Sequence, residues 1–471
     1  MDDTIVSGFN GGTTRVDAGA INDLRSHLKG SLLLSGENGY DDARTIWNAM
    51  IDRHPALIAQ CRNSDDIAAV VKFARANGAL VSIKGAGHNI AGNAVCDGGI
   101  MIDLSQMNTV SVDVDKRRAR VGPGATLGDV DKATQAHGLA VPTGINSTTG
   151  IAGLTLGGGF GWLSRKHGLT VDNLVSAEII TADGEKITAS ENDHADLFWA
   201  IRGGGGNFGV VSSFEFTLHP VGPDVLAGLV VYPQTDAVDL FKKYRDLTNS
   251  LSDDSCVWVV LRKAPPLPFL PESVHGTDVL VFAICHIGDQ ASGEAVLDKI
   301  RGFGTPVGEH AGMMPFADWQ QAFDPLLTPG MRNYWKSNNF AEMSDGAIDA
   351  LVASAAKLPS DHCEVFVGAL GGAVERVAPD AMAYAQRDAN FVMNVHGRWE
   401  SPDDDDAMIS WSRDLYHSTR PFATGGVYVN FMTEEETDRV NAAYGSNYDR
   451  LVAAKKKYDP DNFFRMNQNI T

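Results

Sequence analysis

The sequence predicts an α+β fold arranged as two lobes. Its 471 residues are about three times a typical domain length, which favours two large lobes around a deep cleft. Short strands and amphipathic helices are mixed up to about residue 218, without an internal repeat. A proline- and glycine-rich break at 219–223 follows, and longer strands and helices come after it. We therefore expect domains over 1–219 and 220–424 and a C-terminal segment over 425–471.

The first lobe starts its regular pattern with a helix and two strands. Ser64 is a candidate N-cap of a helix that ends at Gly78. A strand is predicted over 80–83, and another follows over 100–104. The loop between them contains the glycine-rich sequence at 85–89.

Further elements are predicted along the rest of the chain. They are helices over 127–137, 196–201 and 448–456 and strands over 210–218, 391–399 and 427–431. In the strand over 391–399, alternation places Asn394, His396 and Arg398 on one face and apolar residues on the other.

Composition excludes several functional classes. The formal net charge of −20 and the absence of a basic stripe argue against nucleic-acid binding. No apolar run reaches the roughly 20 residues of a membrane helix, and the first residues do not resemble a secretion signal, so we expect no membrane partner and a cytoplasmic location. The five cysteines lack metal-type spacing and are expected to be buried thiols, so no metal site is predicted.

Three glycine clusters, at 85–89, 157–161 and 203–206, suggest backbone that approaches a ligand closely. A diphosphate is the obvious ligand, and three tight turns are the alternative. The segment 204–209 matches GxGxxG, but a helix precedes it and a strand follows, which is the reverse of the nicotinamide-dinucleotide fingerprint. There is no GxxxxGK[ST] sequence, so a P-loop hydrolase is unsupported.

His88 stands inside the first glycine cluster, where a side chain has little to pack against. A neutral imidazole nitrogen can attack the electrophilic 8-methyl carbon of a flavin. Lys84, four residues earlier, offers a cation to stabilise the charge that develops on the flavin ring. His88 is therefore a candidate site of covalent flavin attachment.

A series of motifs gives these features a common context. They are KGAGHN at 84–89, DGGIMIDL at 97–104, GIAG at 150–153 with GGGFG at 157–161, DN at 172–173, LFWA at 197–200 with NFGVV at 207–211, and YDPDNFFRMNQNI at 458–470. The series resembles, in the same order, the berberine bridge enzyme-like branch of the vanillyl alcohol oxidase superfamily. The resemblance covers the chain from about residue 40 to its end.

The resemblance implies a PCMH-type FAD-binding lobe made of two small α+β subdomains and completed by the C-terminal segment. It also implies a substrate lobe with an antiparallel sheet, covered by helices, that roofs the flavin. The family position for 8α-histidyl attachment falls on His88. The other implied FAD-binding residues are Lys84, Gly85, Ala86, Gly87, Asn89, Gly92, Thr148, Thr149, Gly150, Gly153, Gly158, Gly159, Asp172, Asn173, Val211, Asn467 and Asn469.

Three departures from the family pattern change the expectation. Asn146 occupies the position of a cysteine that forms a second flavin bond in many members, so attachment through His88 alone is expected, together with a smaller substrate. Lys84 replaces the usual arginine and keeps the charge without the fork geometry. Phe431 occupies the position of a catalytic tyrosine, so the usual base is missing.

Removal of an O–H or N–H proton then needs another residue. His396 is the first candidate, because an imidazole can act as a base near neutral pH. Tyr428, which shares a face with Asn430, is the second, and Tyr334 with Lys336 on another predicted strand is the third. A sheet with one wet face is the alternative interpretation of the polar residues around His396.

The leading hypothesis is an FAD-dependent oxidase that takes hydride from a CH–OH or CH–NH carbon of a small molecule to flavin N5. Molecular oxygen is the expected acceptor and hydrogen peroxide the product. An oxidative cyclase of secondary metabolism uses the same half-reaction and is one alternative. A flavin-binding protein without oxidase chemistry is the other.

Overall fold

The computed structural model describes residues 3–471 and confirms the α+β class. Within these residues the strands form sheets of four, five and seven strands and two sheets of two strands. The chain passes from the five-stranded to the seven-stranded sheet beyond Thr217. The exact division at 219/220 and the start of the C-terminal segment at 425 stay predictions.

The four-stranded sheet contains the first glycine loop. Its central strands pair in parallel, and an antiparallel strand closes one edge, in the order β3-β4-β6-β5. The elements of this region are β1 Thr4–Ser7, β2 Thr13–Val16, α1 Ala18–His27, β3 Ser31–Leu34, α2 Tyr40–Arg44, β4 Leu57–Gln60, α3 Ser64–Ala76, β5 Val81–Lys84 and β6 Ile100–Asp103.

Local sequence explains where α3 begins and which face it packs on the sheet. The side chain of Asn63 accepts a hydrogen bond from the Asp66 amide, so the N-cap lies one residue before the predicted Ser64. Ile67, Val70 and Val71 face the sheet and are fully buried. The glycine loop therefore leaves β5 from a well-packed α/β layer.

The five-stranded sheet is antiparallel throughout its order, β11-β10-β12-β8-β7. A capping box between Thr126 and Asp129 starts α4, and Phe198 of α7 and Phe214 of β12 lie in the core. The elements are β7 Val110–Asp113, β8 Arg118–Val121, α4 Leu127–Gln135, β9 Leu139–Ala140, α5 Ile151–Leu156, α6 Ser164–His167, β10 Leu174–Ile180, β11 Lys186–Ser190, α7 Ala195–Ile201, β12 Val210–Thr217 and β13 His219–Pro220.

The seven-stranded sheet is antiparallel, in the order β17-β14-β16-β15-β19-β20-β18. Its elements are β14 Asp224–Pro233, α8 Ala237–Thr248, β15 Ser255–Lys263, β16 Asp278–His286, α9 Gln290–Arg301, β17 Gly308–Pro315, α10 Phe316–Trp319, β18 Arg332–Phe340, α11 Asp345–Ala355, β19 Glu364–Ala369, β20 Phe391–Trp399 and α12 Asp405–Thr419.

The two faces of this sheet have different neighbours. Phe391, Met393 and Val395 of β20 pack into a core that also contains residues of α8, α9, α11 and α12. His396 lies on the opposite face, which lines a cavity. The predicted strand over 391–399 and the predicted helix-covered sheet are both confirmed.

The C-terminal segment contains α13 Val440–Tyr444 and α14 Tyr448–Tyr458, which confirms the predicted last helix. The predicted strand over 427–431 is wrong. Val429–Phe431 forms a 3-10 turn, because the backbone bonds are local: the Phe431 amide donates to the Tyr428 carbonyl at 2.9 Å. Apolar and aromatic residues alone do not reveal whether a neighbouring strand is available for pairing.

Candidate active site

A cavity of about 380 Å³ lies between the glycine loops, the seven-stranded sheet and the C-terminal segment. We call residues 85–89 and 149–153 the floor. We call the cavity face of β14, β15, β16, β18, β19 and β20 the roof. The C-terminal segment adds Tyr428, Phe431 and Asn467 to the cavity wall.

The floor presents backbone to the cavity. No amide from Ala86 to Asn89 donates a hydrogen bond to another described residue. Gly87 has φ +74°, a left-handed conformation that favours glycine. A Cβ added to Gly153 or Gly206 would meet no atom within 4 Å, so both glycines border open space. Unpaired amides beside such space fit the phosphates of a dinucleotide.

His88 projects from this floor into the cavity. Its Nε2 lies 2.9 Å from Thr148 Oγ1, and its Nδ1 lies 3.3 Å from Thr149 Oγ1. The indole of Trp47 stacks on the imidazole with ring centroids 5.2 Å apart. Burial lowers the pKa of His88 to about 4, so the imidazole is neutral near pH 7 and keeps a nucleophilic lone pair.

Asn146 supports the same arrangement. Its Oδ1 accepts hydrogen bonds from the Thr148 amide at 3.0 Å and from the Thr148 hydroxyl at 2.7 Å. Its Nδ2 donates to the Leu327 carbonyl at 3.2 Å. Asn146 lines the cavity with His88 and orients Thr148, whose hydroxyl contacts the imidazole.

The predicted cofactor residues divide into two groups. Those that line the cavity are Gly85, Ala86, Gly87, His88, Asn89, Thr149, Gly150, Gly153, Val211 and Asn467. The Oδ1 of Asn467 is buried without a hydrogen-bond partner among the described residues, which leaves an acceptor for a bound group. Those outside the lining are Lys84, Gly92, Thr148, Gly158, Gly159, Asp172, Asn173 and Asn469.

Several residues of the second group form hydrogen bonds or ion pairs with other parts of the protein. The Lys84 ammonium donates to the carbonyls of Ala43 at 2.5 Å and Thr45 at 3.2 Å, so those carbonyls hold the cation. Asp172 forms an ion pair with Arg387 at 2.6 Å. The Asn173 amide donates to two backbone carbonyls.

Four more residues outside the lining are held by protein contacts, whereas the Oδ1 of Asn469 is buried without a hydrogen-bond partner among the described residues. Thr148 contacts His88, and the Gly159 amide donates to the Tyr428 hydroxyl at 2.9 Å. A Cβ added to Gly158 would lie 2.8 Å from the Tyr384 ring, and one added to Gly92 would lie 2.8 Å from Ile51. Close packing thus explains why both positions are glycine.

A row of polar residues crosses the roof. Arg262 of β15 pairs with Glu364 of β19, Glu364 pairs with His396 of β20, and His396 pairs with Trp335 of β18. Directly opposite residues of neighbouring strands lie side by side on one face. All four side chains line the cavity.

The row is connected by hydrogen bonds. His396 Nδ1 lies 3.0 Å from Glu364 Oε1, and the Arg262 guanidinium donates to Glu364 Oε2 at 2.9 Å. The Trp335 indole stacks on the imidazole with centroids 4.5 Å apart. Among the described residues His396 Nε2 has no hydrogen-bond partner, which leaves this nitrogen available to a molecule in the cavity.

Neighbouring groups fix the ionisation state of the Glu364 carboxyl. Burial alone would raise the pKa of its carboxyl, but the Arg262 guanidinium and the His396 imidazole outweigh burial and lower that pKa to about 2. The carboxylate is therefore ionised at ordinary pH and accepts the proton on Nδ1. With Nδ1 as donor, Nε2 of the neutral imidazole is the acceptor.

The other candidate bases have different surroundings. The Tyr428 hydroxyl lies in the cavity wall but accepts from the Gly159 amide and from Asn430 Nδ2 at 3.0 Å. Burial raises the pKa of Tyr428 to about 12. A phenol with that pKa is a poor base at neutral pH.

Tyr334 and Lys336 lie on the opposite face of β18 from Trp335, outside the cavity lining. The Lys336 ammonium contacts Glu435 at 2.8 Å and Glu436 at 3.2 Å, and the Tyr334 hydroxyl donates to Glu435. The shared face was predicted correctly, but it packs against the C-terminal segment. Strand alternation alone cannot tell which face borders the cavity.

Sequence reasoning did not identify Glu364, Arg262 or Trp335. Their role depends on the register of four strands that are far apart in the chain. The only available signal was the alternation of apolar and polar residues within each strand. Phe431, which stands where the family resemblance implies a catalytic tyrosine, packs edge-on against the Trp335 ring with centroids 5.6 Å apart.

Comparisons with known proteins identify the family of this chain. A family model described as "FAD binding domain" matches residues 55–190, and one described as "Berberine and berberine like" matches 427–471. An FAD-linked oxidoreductase of Dictyostelium discoideum is 31% identical over 96% of this chain and 96% of its own length. This chain belongs to the berberine bridge enzyme-like family. It is an FAD-linked oxidoreductase, as the family resemblance predicted.

Solved structures support the fold of this berberine bridge enzyme-like protein. The 6-hydroxy-D-nicotine oxidase of Arthrobacter nicotinovorans superposes with a TM-score of 0.85 at 28% identity, covering 94% of this chain and 98% of that one. The glucooligosaccharide oxidase of Acremonium strictum, whose FAD carries 6-S-cysteinyl and 8α-N1-histidyl bonds, superposes at 0.84 with 24% identity, covering 96% and 98%. The predicted PCMH-type architecture is confirmed.

Other expectations concern the chain as a whole. All five cysteines are free and buried, as predicted. Among the described residues, no helix combines the length and apolar character needed to cross a bilayer. No cluster of three or more metal-ligating side chains occurs in that part of the chain.

Proposed function

We propose that this berberine bridge enzyme-like protein is an oxidase that takes a hydride from a CH–OH or CH–NH carbon of a small molecule. The observation that carries the proposal is that two histidines with different hydrogen-bond partners line one cavity. His88 lies on the floor beside two hydroxyls, and His396 lies on the roof beside a carboxylate. FAD held on the floor would supply the hydride acceptor, and O₂ would take up the two electrons and two protons as hydrogen peroxide.

The first part of the proposal is that FAD is bound covalently through His88 alone. The unpaired amides of 86–89 suit its diphosphate, and the neutral imidazole suits bond formation at the flavin 8α carbon. Asn146 offers no thiol for a second bond. Lys84 makes no direct contact with the cavity, because the carbonyls of Ala43 and Thr45 hold its ammonium outside the lining.

The second part is that His396 accepts the substrate proton. Its Nε2 is the unpartnered basic nitrogen of the roof, whereas Tyr428 already accepts two hydrogen bonds. Glu364 is a positioning residue that holds the tautomer and stabilises the imidazolium once the proton arrives. Loss of the hydride and of this proton converts the substrate into a carbonyl or an imine.

Oxygen as the acceptor and a cytoplasmic location complete the proposal. The 6-hydroxynicotine oxidase of Paenarthrobacter nicotinovorans, 29% identical to this chain, is named an oxidase, which supports oxygen as acceptor. The five free thiols suit a reducing compartment.

The test is a screen of purified protein against alcohols and cyclic amines, reading flavin bleaching without oxygen and peroxide with oxygen. We expect at least one compound to give both signals. Bleaching without peroxide would reject oxygen as the acceptor. A flavin that no compound reduces would reject the oxidase and favour a flavin-binding protein.

A further inference from the structure

The connection between α10 and β18 comes from the part of the chain that builds the seven-stranded sheet, yet it contacts the neighbours of His88. We call its residues 324–328 the clamp. The clamp begins with a 3-10 turn over Asp324–Leu326, and Leu326 and Leu327 line the cavity. The Leu327 carbonyl is hydrogen-bonded to residues that lie 181 and 280 positions earlier in the chain. The clamp therefore joins the two lobes at the edge of the cavity.

The Leu327 carbonyl accepts two hydrogen bonds. One comes from Trp47 Nε1 and the other from Asn146 Nδ2, both at 3.2 Å. The indole of Trp47 stacks on the His88 imidazole. Asn146 accepts hydrogen bonds from Thr148, whose hydroxyl contacts the same imidazole. One carbonyl thus holds the ring that lies on the face of the imidazole and, through Asn146, a hydroxyl at its edge.

Asp324 also holds the loop that contains Thr148. Its Oδ1 accepts a hydrogen bond from the Ser147 amide at 2.9 Å, and its Oδ2 accepts one from the Ser147 hydroxyl at 2.5 Å. Hydrogen bonds to a carboxylate are shorter and stronger than those between neutral groups. Because Ser147 directly precedes Thr148, Asp324 restricts the hydroxyl that contacts His88. The carboxylate itself bonds to Ser147 and leaves the imidazole without a counter-charge, so burial keeps the pKa of His88 low.

Arg398 fixes the clamp to β20. Its Nη2 donates to the Thr328 carbonyl at 2.5 Å and to the Thr328 hydroxyl at 3.1 Å. The guanidinium carbon also lies 5.2 Å from the centroid of the Trp47 ring, which is a cation–π distance. Arg398 follows His396 by two residues on the same strand, so both lie on one face. The strand of the proposed base is therefore connected to the indole that stacks on His88.

The loop that carries His88 gives its ring little support. No amide from 86 to 89 donates a hydrogen bond to another described residue. The ring contacts are the Trp47 indole and the hydroxyls of Thr148 and Thr149. A nucleophile reacts fast only when it is held close to the productive geometry. The orientation of the imidazole thus depends on Trp47 and Thr148, and both depend on the clamp.

We infer that the clamp is a positioning segment for flavin attachment: it holds Trp47 and Thr148 against the His88 imidazole, so that the nucleophile is in place only when the two lobes pack together. This inference rests on the proposed attachment of FAD through His88. The clamp acts through neighbours of the histidine and makes no contact with the reacting nitrogen.

The attachment step has a simple balance. One bond forms, between an imidazole nitrogen and the 8α carbon of the flavin. A C–H bond of the methyl group and the N–H bond of the imidazole break, which releases two protons. The electron pair passes through the flavin ring to O₂, the acceptor named in the proposed function, and O₂ with the two protons becomes hydrogen peroxide.

The first measurement is the rate of attachment in the full chain. Apoprotein is mixed with FAD, and acid-precipitated flavin is sampled over time. Asp324→Ala removes both hydrogen bonds to Ser147 and should slow attachment about 10-fold, a factor typical of one charge-assisted hydrogen bond. Asp324→Asn keeps an acceptor for the Ser147 amide and should recover most of the rate. Asp318→Ala, at an exposed aspartate of α10, is the matched control and should attach flavin at the wild-type rate.

The second measurement needs no flavin. Apoprotein that contains isotope-labelled histidine is titrated by NMR, and the signal that is missing in His88→Ala identifies His88. The pKa of His88 should be about 4 in the wild type. In Asp324→Ala water should reach the loosened ring, so the pKa should rise towards its ordinary value. An unmoved pKa of His88 in Asp324→Ala would overturn the inference, and so would attachment at the wild-type rate.

Failure of the clamp and failure of the proposed attachment give different results. If acid releases all FAD from the wild-type protein, covalent attachment is rejected, and a raised pKa of His88 in Asp324→Ala would still support the positioning of the ring by the clamp. If the wild type and Asp324→Ala attach FAD at the same rate, the clamp is rejected and the attachment stands.

Variants of Trp47 test the other contact of the clamp. Trp47→Phe loses the hydrogen bond to the Leu327 carbonyl but keeps an aromatic ring next to His88, whereas Trp47→Leu loses both. Attachment should therefore be slower in Trp47→Leu than in Trp47→Phe, and slower in each than in the wild type. Thermal denaturation checks that both variants fold. Attachment at the wild-type rate in folded Trp47→Leu would overturn the inference. If Trp47→Leu does not fold, the Asp324 variants decide.

Discussion

His88 and His396 face the same cavity, but their surroundings differ in kind. His88 is flanked by the hydroxyls of Thr148 and Thr149, with no carboxylate in contact. His396 is hydrogen-bonded to Glu364, which Arg262 holds as an anion. Burial without a counter-charge favours a neutral imidazole at His88, whereas the ionised carboxylate next to His396 makes Nδ1 the donor and leaves Nε2 as the acceptor.

In the proposed mechanism, this difference lets one residue type take two roles in one site. A nucleophile that joins a cofactor must stay unprotonated, and burial alone achieves this at His88. A proton acceptor must be stabilised after protonation, and the ionised Glu364 does this for His396. The following experiments test this comparison, beginning with the largest expected effect.

Replacing His88 by Ala should abolish covalent attachment. The variant still has the amides of 86–89 and should bind FAD, but acid denaturation should release all of it. Absorbance and fluorescence of the precipitated protein measure this. His137→Ala, at an exposed histidine, is the control and should retain its flavin. Flavin that stays on the His88→Ala pellet would place the attachment elsewhere.

Replacing His396 by Gln should slow anaerobic flavin reduction by about 10²- to 10⁴-fold, the usual contribution of a general base. Attachment of the flavin should be unchanged, because His88 and its partners are untouched. The half-exposed His362, changed to Gln, is the matched control. An unaltered reduction rate in His396→Gln would remove His396 from the mechanism.

Replacing Glu364 by Gln should slow reduction by about 10- to 10²-fold, since a charge-assisted hydrogen bond is worth roughly 1.5–3 kcal/mol. Glu364→Asp, which keeps a carboxylate next to the imidazole, should recover part of the lost rate. Glu375→Gln, at an exposed glutamate, controls for the general change in charge. A reduction rate in Glu364→Asp as low as that in Glu364→Gln would indicate a packing role only.

Replacing Asn146 by Ala should slow flavin attachment severalfold without lowering its final extent. The change removes the two hydrogen bonds that orient Thr148 next to His88. The time course is followed by mixing apoprotein with FAD and sampling acid-precipitated flavin. An attachment rate equal to that of the wild type would show that Thr148 is oriented without Asn146.

The smallest expected effect is the pH dependence of attachment. Because the pKa of His88 is about 4, the imidazole is unprotonated throughout pH 5.5–8 and the attachment rate should be flat there. The rate should fall only as pH drops towards 4, where protonation removes the lone pair. A fall already near pH 6.5 would mean that burial does not shift this histidine.

The floor was more predictable than the roof. Lys84 to Asn89 are contiguous, so one loop carries both the glycines and the histidine, and a motif can reveal them. Arg262, Glu364 and His396 meet only through strand register over more than a hundred residues. His396 was found from local alternation, but its partner could not be found in that way.

Local patterns also leave out contacts that are distant in the chain. The position of Lys84 four residues before His88 suggests a cation near the flavin, but it does not show that the carbonyls of Ala43 and Thr45 hold the ammonium. Residues 427–431 look like a strand, but the Tyr428 hydroxyl is fixed by the Gly159 amide and the backbone turns. Neither partner is near in sequence.

The central claim, a single flavin bond at His88, is tested most directly by mass mapping of the wild-type protein. Trypsin should release peptide 85–116 carrying the mass of FAD, and fragmentation should place it on His88. The peptide that contains Asn146 should be unmodified. Free FAD in the acid supernatant, or flavin on any other residue, would contradict the account.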